Sequence, residues 1–164
     1  MDGVMACLYA LWLVGGSLDF WFHRRTDLPH TSGLVESALH GVQLVLVGGG
    51  VFAWLAFHNT RAMVALLSVI TAAHAVAGYM DTVSADGRRR ISPAEQHVHS
   101  ILDVAPWLFL AWVTWRASPE WELRWDPAPA AVWGGLVIPA LVLVVVPWAH
   151  EMLGCLRAGQ RPRA

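Results

Sequence analysis

The chain has 164 residues, a formal net charge of −1 at pH 7, 56% hydrophobic residues and only 14% charged ones. Soluble globular domains carry roughly a quarter charged residues, so this composition argues against one and indicates an integral membrane protein. The nearly neutral charge and the lack of a basic region give no reason to expect nucleic acid as a partner.

Five apolar segments are long enough to cross the hydrocarbon layer of a membrane, which takes about 20 helical residues. No internal repeat and no Gly/Ser linker divides the chain, so we expect a single domain over residues 1–164. The first segment has no basic residue before it, does not resemble a cleaved signal peptide, and is expected to be retained. The sequence thus predicts an all-α bundle of five transmembrane helices at approximately residues 4–22, 36–57, 61–80, 98–116 and 130–149.

The eleven basic residues, all of them arginines, indicate how the bundle is oriented. Eight follow the first, third and fifth segments, and only three lie at the other end. The positive-inside rule therefore places the N-terminus outside and the C-terminus in the cytoplasm, as expected for a multi-pass protein of a bacterial-type inner (cytoplasmic) membrane. Arg88, Arg89 and Arg90 are expected to anchor their loop at anionic headgroups. The alternative is that these three arginines bind an acidic redox protein or a phosphate-bearing substrate.

Carboxylate and imidazole side chains gather at the end of the bundle that is predicted to face the cytoplasm. Helix residues four apart share a face, and residues seven apart return to nearly the same angle. The first, second and fourth helices carry such groups four residues apart, and the third carries a His and an Asp seven apart. Ionisable groups inside a membrane bundle usually face one another or a polar cavity. We therefore predict one cavity lined by Asp19, His23, Glu36, His40, His74, Asp81, Glu95, His99 and Asp103.

These nine side chains are candidate metal ligands. Five carboxylates and four imidazoles exceed what one ion uses, since a closed zinc site takes only four. The set therefore predicts two metal ions on the cytoplasmic side, with Glu36 and Glu95 as bridges. It contains no thiolate, and mixed carboxylate and imidazole ligands favour iron first and zinc second, with copper or manganese as further options. Soluble di-iron bundles project similar groups inward from four helices, which is an architectural analogy. The sequence leaves open whether the site also includes His30, His97, His150 or Glu151.

The first functional hypothesis is a membrane-embedded, non-haem di-iron oxidoreductase of the oxygenase, hydroxylase or desaturase type. It would act on a lipid or other apolar substrate that arrives from the membrane lipids, and it would take electrons from a cytoplasmic donor. The second hypothesis is a di-zinc hydrolase of a lipid ester, amide or phosphoester, with Asp103 as the catalytic base beside a zinc-bound hydroxide.

Two further alternatives are a metal transporter and a bis-histidine haem protein. Transporters usually place their site near the bilayer midplane of an internally repeated fold, whereas this cluster lies at one end and no repeat is visible. A haem held by two of His40, His74 and His99 would leave the five carboxylates without a role. The sequence gives no indication of the oligomeric state.

Overall fold

The structure, a computed structural model, describes residues 3–159 of the chain. This part is all-α and contains no β-strand. A short 3-10 helix, Leu28–His30, connects the first two helices. Five helices are long and apolar enough to cross a membrane, as the sequence predicts, and they are α1 (Gly3–Arg25), α2 (Gly33–Ala56), α3 (Arg61–Ala85), α4 (Pro93–Trp115) and α5 (Ala130–Gly159).

Each of the five helices extends further than predicted at the same end of the bundle. We call this the cluster end; it comprises the C-terminal ends of α1, α3 and α5 and the N-terminal ends of α2 and α4. The apolar pattern stops early there because the next turns carry ionisable residues, which fold as helix once they are buried among neighbouring helices. At α4 a capping box sets the true start: Ser92 Oγ accepts from the Glu95 backbone N–H at 3.2 Å, and the Glu95 side chain accepts from the Ser92 N–H.

Helix α5 packs closely on α2 because Gly41 has no side chain. A Cβ atom at Gly41 would lie 2.6 Å from the Trp148 ring, and the Trp148 indole N–H donates to the Ser37 carbonyl at 2.9 Å. This contact brings the buried Glu151, three residues after Trp148, into the bundle. The helix is irregular after Pro139, where Leu141–Val145 form a π-helical turn.

The opposite end of the bundle is closed by the loop 117–129, which pairs with the short connection between α2 and α3. Backbone N–H groups of His58 and Arg61 donate to the Arg124 and Glu120 carbonyls at 2.9 and 3.0 Å. Thr60 is fully buried, and its hydroxyl accepts from the Met63 N–H at the start of α3. These bonds fix the ends of α2 and α3.

The outer surface of the helices is apolar, as a lipid-facing surface would be. Val45, Val69 and Ile138 lie within the spans and are 74%, 69% and 61% exposed. Inside the bundle, Ala53, Met63, Leu67 and Val113 form an apolar core away from the cluster end. The buried carboxylates and imidazoles described next therefore occupy one end of an otherwise apolar bundle.

Candidate metal centre

The structure buries seven of the nine predicted site residues, places His99 at the edge of the cluster and leaves Asp103 exposed. The nine residues come from four different helices, α1 to α4, as the sequence predicts. The side chains that contact one another directly within the cluster are Asp19, His23, Glu36, His40, Asp81, Glu95 and His99, joined by Glu151 and Arg89.

His23 lies at the centre of the cluster. Its Nδ1 donates to Glu151 Oε2 at 2.8 Å, which fixes the orientation of the ring. Its Nε2 is fully buried and has no hydrogen-bond partner among the described residues. Three carboxylate oxygens face this atom, from Asp19 at 3.4 Å, Glu36 at 3.7 Å and Glu95 at 3.9 Å. A buried imidazole nitrogen that faces carboxylates can bind a metal ion or carry a proton.

His99 completes this arrangement from α4. Its Nε2 donates to Asp19 Oδ1 at 2.8 Å, and ligand atoms of Asp19, His23, Glu95 and His99 all lie within 4.8 Å of one another. Around an ion with bonds of 2.0–2.1 Å, tetrahedral ligand atoms are about 3.4 Å apart. The separations observed around His23 Nε2 are therefore equal to this spacing or up to half an ångström longer.

His40 belongs to a second, overlapping group. Ligand atoms of His23, Glu36 and His40 lie within 4.8 Å of one another, and the His23 and His40 rings stack with centroids 4.7 Å apart. Both His40 nitrogens already face carboxylates, with Nε2 3.0 Å from Asp81 Oδ2 and Nδ1 3.3 Å from Glu151 Oε1. The group containing His99 has four ligand residues, whereas this one has three.

Arg89 places a guanidinium inside the cluster from the loop after α3. Its Nε donates to both carboxylate oxygens of Glu36 at 3.0 and 3.1 Å, and its Nη1 donates to Glu95. The Arg89 side chain is only 1% exposed. Burial alone would lower the pKa of Arg89, but the hydrogen bonds and charges of Glu36 and Glu95 outweigh burial and raise it. The expectation that Arg89 anchors at headgroups is therefore wrong, whereas Arg88 and Arg90 are exposed as expected.

The charges of the cluster do not balance within the described residues. Five carboxylates and one guanidinium leave four negative charges if the imidazoles are neutral. Uncompensated buried charges are costly, so protons on the imidazoles or on the carboxylates, or bound cations, must offset them. Two divalent cations carry four positive charges and would balance the four negative ones. The carboxylates counted are Asp19, Glu36, Asp81, Glu95 and Glu151.

His74 and Asp103 lie apart from these ion-pair groups, beside two partly enclosed cavities. The polar cavity, of about 60 Å³, is lined by Asp19, His40 and His99 from the cluster and by Asp103. The apolar cavity, of about 90 Å³, extends away from the cluster end toward Leu67 and Leu110. Both cavities are lined by Trp12, Val47 and His74, so they meet at these three side chains.

Two members of the cluster were outside the predicted set. Glu151 was left open by the sequence, yet it is 8% exposed and contacts two imidazoles. Its signal is a buried stripe on α5, in which Val144, Glu151 and Cys155 recur at spacings of seven and four. Arg89 had no usable signal, because it stands in an arginine triplet whose other two members are exposed.

Comparison of the chain with protein-family models, with curated proteins and with solved structures finds no match.

Proposed function

We propose that the protein is a membrane-embedded metal-dependent oxidoreductase that acts on an apolar substrate, with iron as the favoured metal. The observation that carries this proposal is the Nε2 atom of His23, which has no hydrogen-bond partner among residues 3–159 and is buried among three carboxylates next to His99. We assign the first ion to Asp19, His23, Glu95 and His99. A second ion would be held by Glu36 and His40 of the overlapping group, because the single lone pair of His23 Nε2 binds only one ion.

The ligand chemistry favours iron. Carboxylate and imidazole ligands suit an iron pair that changes oxidation state, and the two ligand groups contain no cysteine. Bound iron would supply one-electron steps and a position for dioxygen. Insertion of one oxygen atom into a C–H bond then requires two electrons and two protons, which reduce the second oxygen atom to water. We propose that a cytoplasmic electron donor supplies the two electrons.

The protein's own residues orient the ligands. Glu151 accepts from His23 Nδ1, which leaves Nε2 free to bind an ion, and Asp81 accepts from His40. Such outer carboxylates fix ring orientation and raise ligand basicity at metal sites. In the metal-free protein Arg89 holds Glu36 and Glu95 in place and offsets part of their charge. The apolar cavity supports delivery of a substrate from the membrane, because it meets the polar cavity that Asp19 and His99 line.

A zinc hydrolase is the second candidate, and the position of Asp103 favours it. This carboxylate borders the polar cavity without belonging to either ligand group, as a general base for an attacking water would. Zinc would generate the nucleophile near neutral pH. The two candidates differ in metal identity and in the need for an electron donor.

The test is the metal content of protein purified in mild detergent without chelator, measured by inductively coupled plasma mass spectrometry. We expect about two equivalents of iron per chain, with marked loss in His99→Ala and His40→Ala. The matched control is His97→Ala, because His97 is exposed two residues from His99 on the same helix. Two equivalents of zinc would favour the hydrolase. Absence of stoichiometric metal, or equal loss in the control, would refute the metal centre.

A further inference from the structure

The apolar cavity has the lining of a site for one segment of a hydrocarbon chain. It lies between the helices, and aromatic side chains from three of them border it: Tyr9, Trp12, Trp54 and Phe109. Its volume of about 90 Å³ is smaller than the roughly 150 Å³ of an engineered cavity that admits a benzene ring. A ring system is therefore too large for it. The cavity is only partly enclosed, so an unbranched chain can place a few carbons inside and extend the rest beyond it.

A buried polar group stands where this cavity ends. His74 is 4% exposed, lines both cavities, and its Nδ1 is buried without a hydrogen-bond partner among the described residues. A buried nitrogen of this kind costs free energy unless a ligand or water satisfies it. It therefore marks the point at which a bound chain would carry its polar atom.

The polar cavity beyond His74 has room for a small head group only. Its volume of about 60 Å³ corresponds to about four water molecules. Asp103 borders it because Gly78 has no side chain: a Cβ atom there would lie 2.9 Å from Asp103 Oδ1. Asp103 is itself exposed, which makes its position a lateral opening of the cavity.

We propose that the two cavities together bind the head-group end of a single unbranched fatty chain with a neutral hydroxyl, with the first carbons of the tail in the apolar cavity, the rest of the tail extending out of it, and the hydroxyl at His74 and Asp103. The reaction that would follow this binding rests on the proposed function. Asp19 and His99 line the same polar cavity, so the enzyme would oxidise the carbons next to the head group rather than the middle of the chain.

The surrounding charges select the head group. Three carboxylates, those of Asp19, Asp81 and Asp103, line the polar cavity and would repel a fatty acid anion. A hydroxyl avoids this repulsion because it donates to a carboxylate and accepts from an imidazole N–H. A fatty acid of the same chain length should therefore bind more weakly than the fatty alcohol, and comparing the two ligands tests the proposal.

The experiment measures binding of tritiated 1-hexadecanol to the metal-free full chain in lipid nanodiscs at pH 8, with unlabelled palmitate as competitor. We expect one alcohol per chain and at least tenfold weaker competition by palmitate than by unlabelled 1-hexadecanol. Two variants should each weaken binding at least tenfold. His74→Phe removes the imidazole, and Gly50→Val fills the apolar cavity from α2.

Gly48→Val is the matched control, since it adds the same side chain two residues away where no atom lies within 4 Å of a new Cβ. Unchanged binding in Gly50→Val, or equal competition by palmitate, would overturn the proposal. Measurement without metal separates the two hypotheses: alcohol binding to a chain that never takes up metal would refute the metal centre alone. Metal uptake without alcohol binding would refute this inference alone.

Discussion

Replacing Arg89 with Met should destabilise the metal-free protein more than any other single change in the loop 86–92. The guanidinium contacts two carboxylates, and the side chains of Arg89, Glu36 and Glu95 are all 0–1% exposed. Removing one partner of a buried ion pair typically costs about 3–5 kcal/mol, because the charges left behind have lost both water and counter-charge. At about 2–4 °C per kcal/mol for a chain of this size, the unfolding temperature should fall by about 6–20 °C.

The same substitution should tighten metal binding. Arg89 donates to the Oε1 atoms of Glu36 and Glu95, which are the atoms that face His23 Nε2. A guanidinium on these oxygens competes with an ion, so its removal should lower the dissociation constant for a divalent metal at least tenfold. Metal should then restore part of the lost unfolding temperature.

Thermal unfolding in detergent, with and without added Fe²⁺ under argon, measures both effects. Arg88→Met and Arg90→Met are matched controls, because they remove the same charge from exposed neighbours. The raised pKa of Arg89 keeps it protonated throughout the usable pH range, so its own titration should produce no loss of stability as pH rises to 9. Equal unfolding temperatures for the Arg89 and Arg88 variants would refute the buried ion pair.

Three further changes test how the cluster is held. Glu151→Ala should weaken metal binding 10–100-fold, measured by competition with a chromophoric chelator, because it removes the acceptor that orients His23. Gly41→Ala should cost about 1–3 kcal/mol in thermal unfolding, because the new Cβ overlaps the Trp148 ring. Thr60→Ala should cost about 0.5–2 kcal/mol, because it removes the N-cap of α3.

Each of these three has a control that separates the contact from the chemical change. His150→Ala truncates the exposed neighbour of Glu151 and should leave metal binding unchanged. Gly48→Ala should not destabilise, since a Cβ at Gly48 meets no atom within 4 Å. Thr114→Ala removes an exposed hydroxyl that donates to the Leu110 carbonyl of its own helix, and it should cost less than Thr60→Ala. A variant that behaves like its control would show that the proposed contact is not the cause.

The apolar pattern could predict the number and approximate place of the helices, because a span needs a minimum length of hydrophobic residues. It could not predict their ends at the cluster. Residues 93–97 are too polar to count as membrane-spanning, yet they form the first turn of α4 through the capping box of Ser92 and Glu95. Within that turn only Glu95 is buried. Its burial depends on the charge of Arg89 and on His23, which is distant in sequence.

Spacing along each helix determined that Asp19 with His23, and Glu95 with His99, share a face, because helical geometry alone sets that relation. Which faces meet was decided by packing. The contact between Gly41 and Trp148 brings α5 against α2 and places Glu151 on His23, and the loop after α3 folds Arg89 inward while its neighbours stay exposed. The seven-residue spacing of His74 and Asp81 correctly indicated that they share one helix face. Only the packing of the bundle gives them different surroundings: Asp81 bonds to His40, whereas His74 borders both cavities. Local periodicity carries no information about the distance between helices, and that distance sets which groups can hold a common ion.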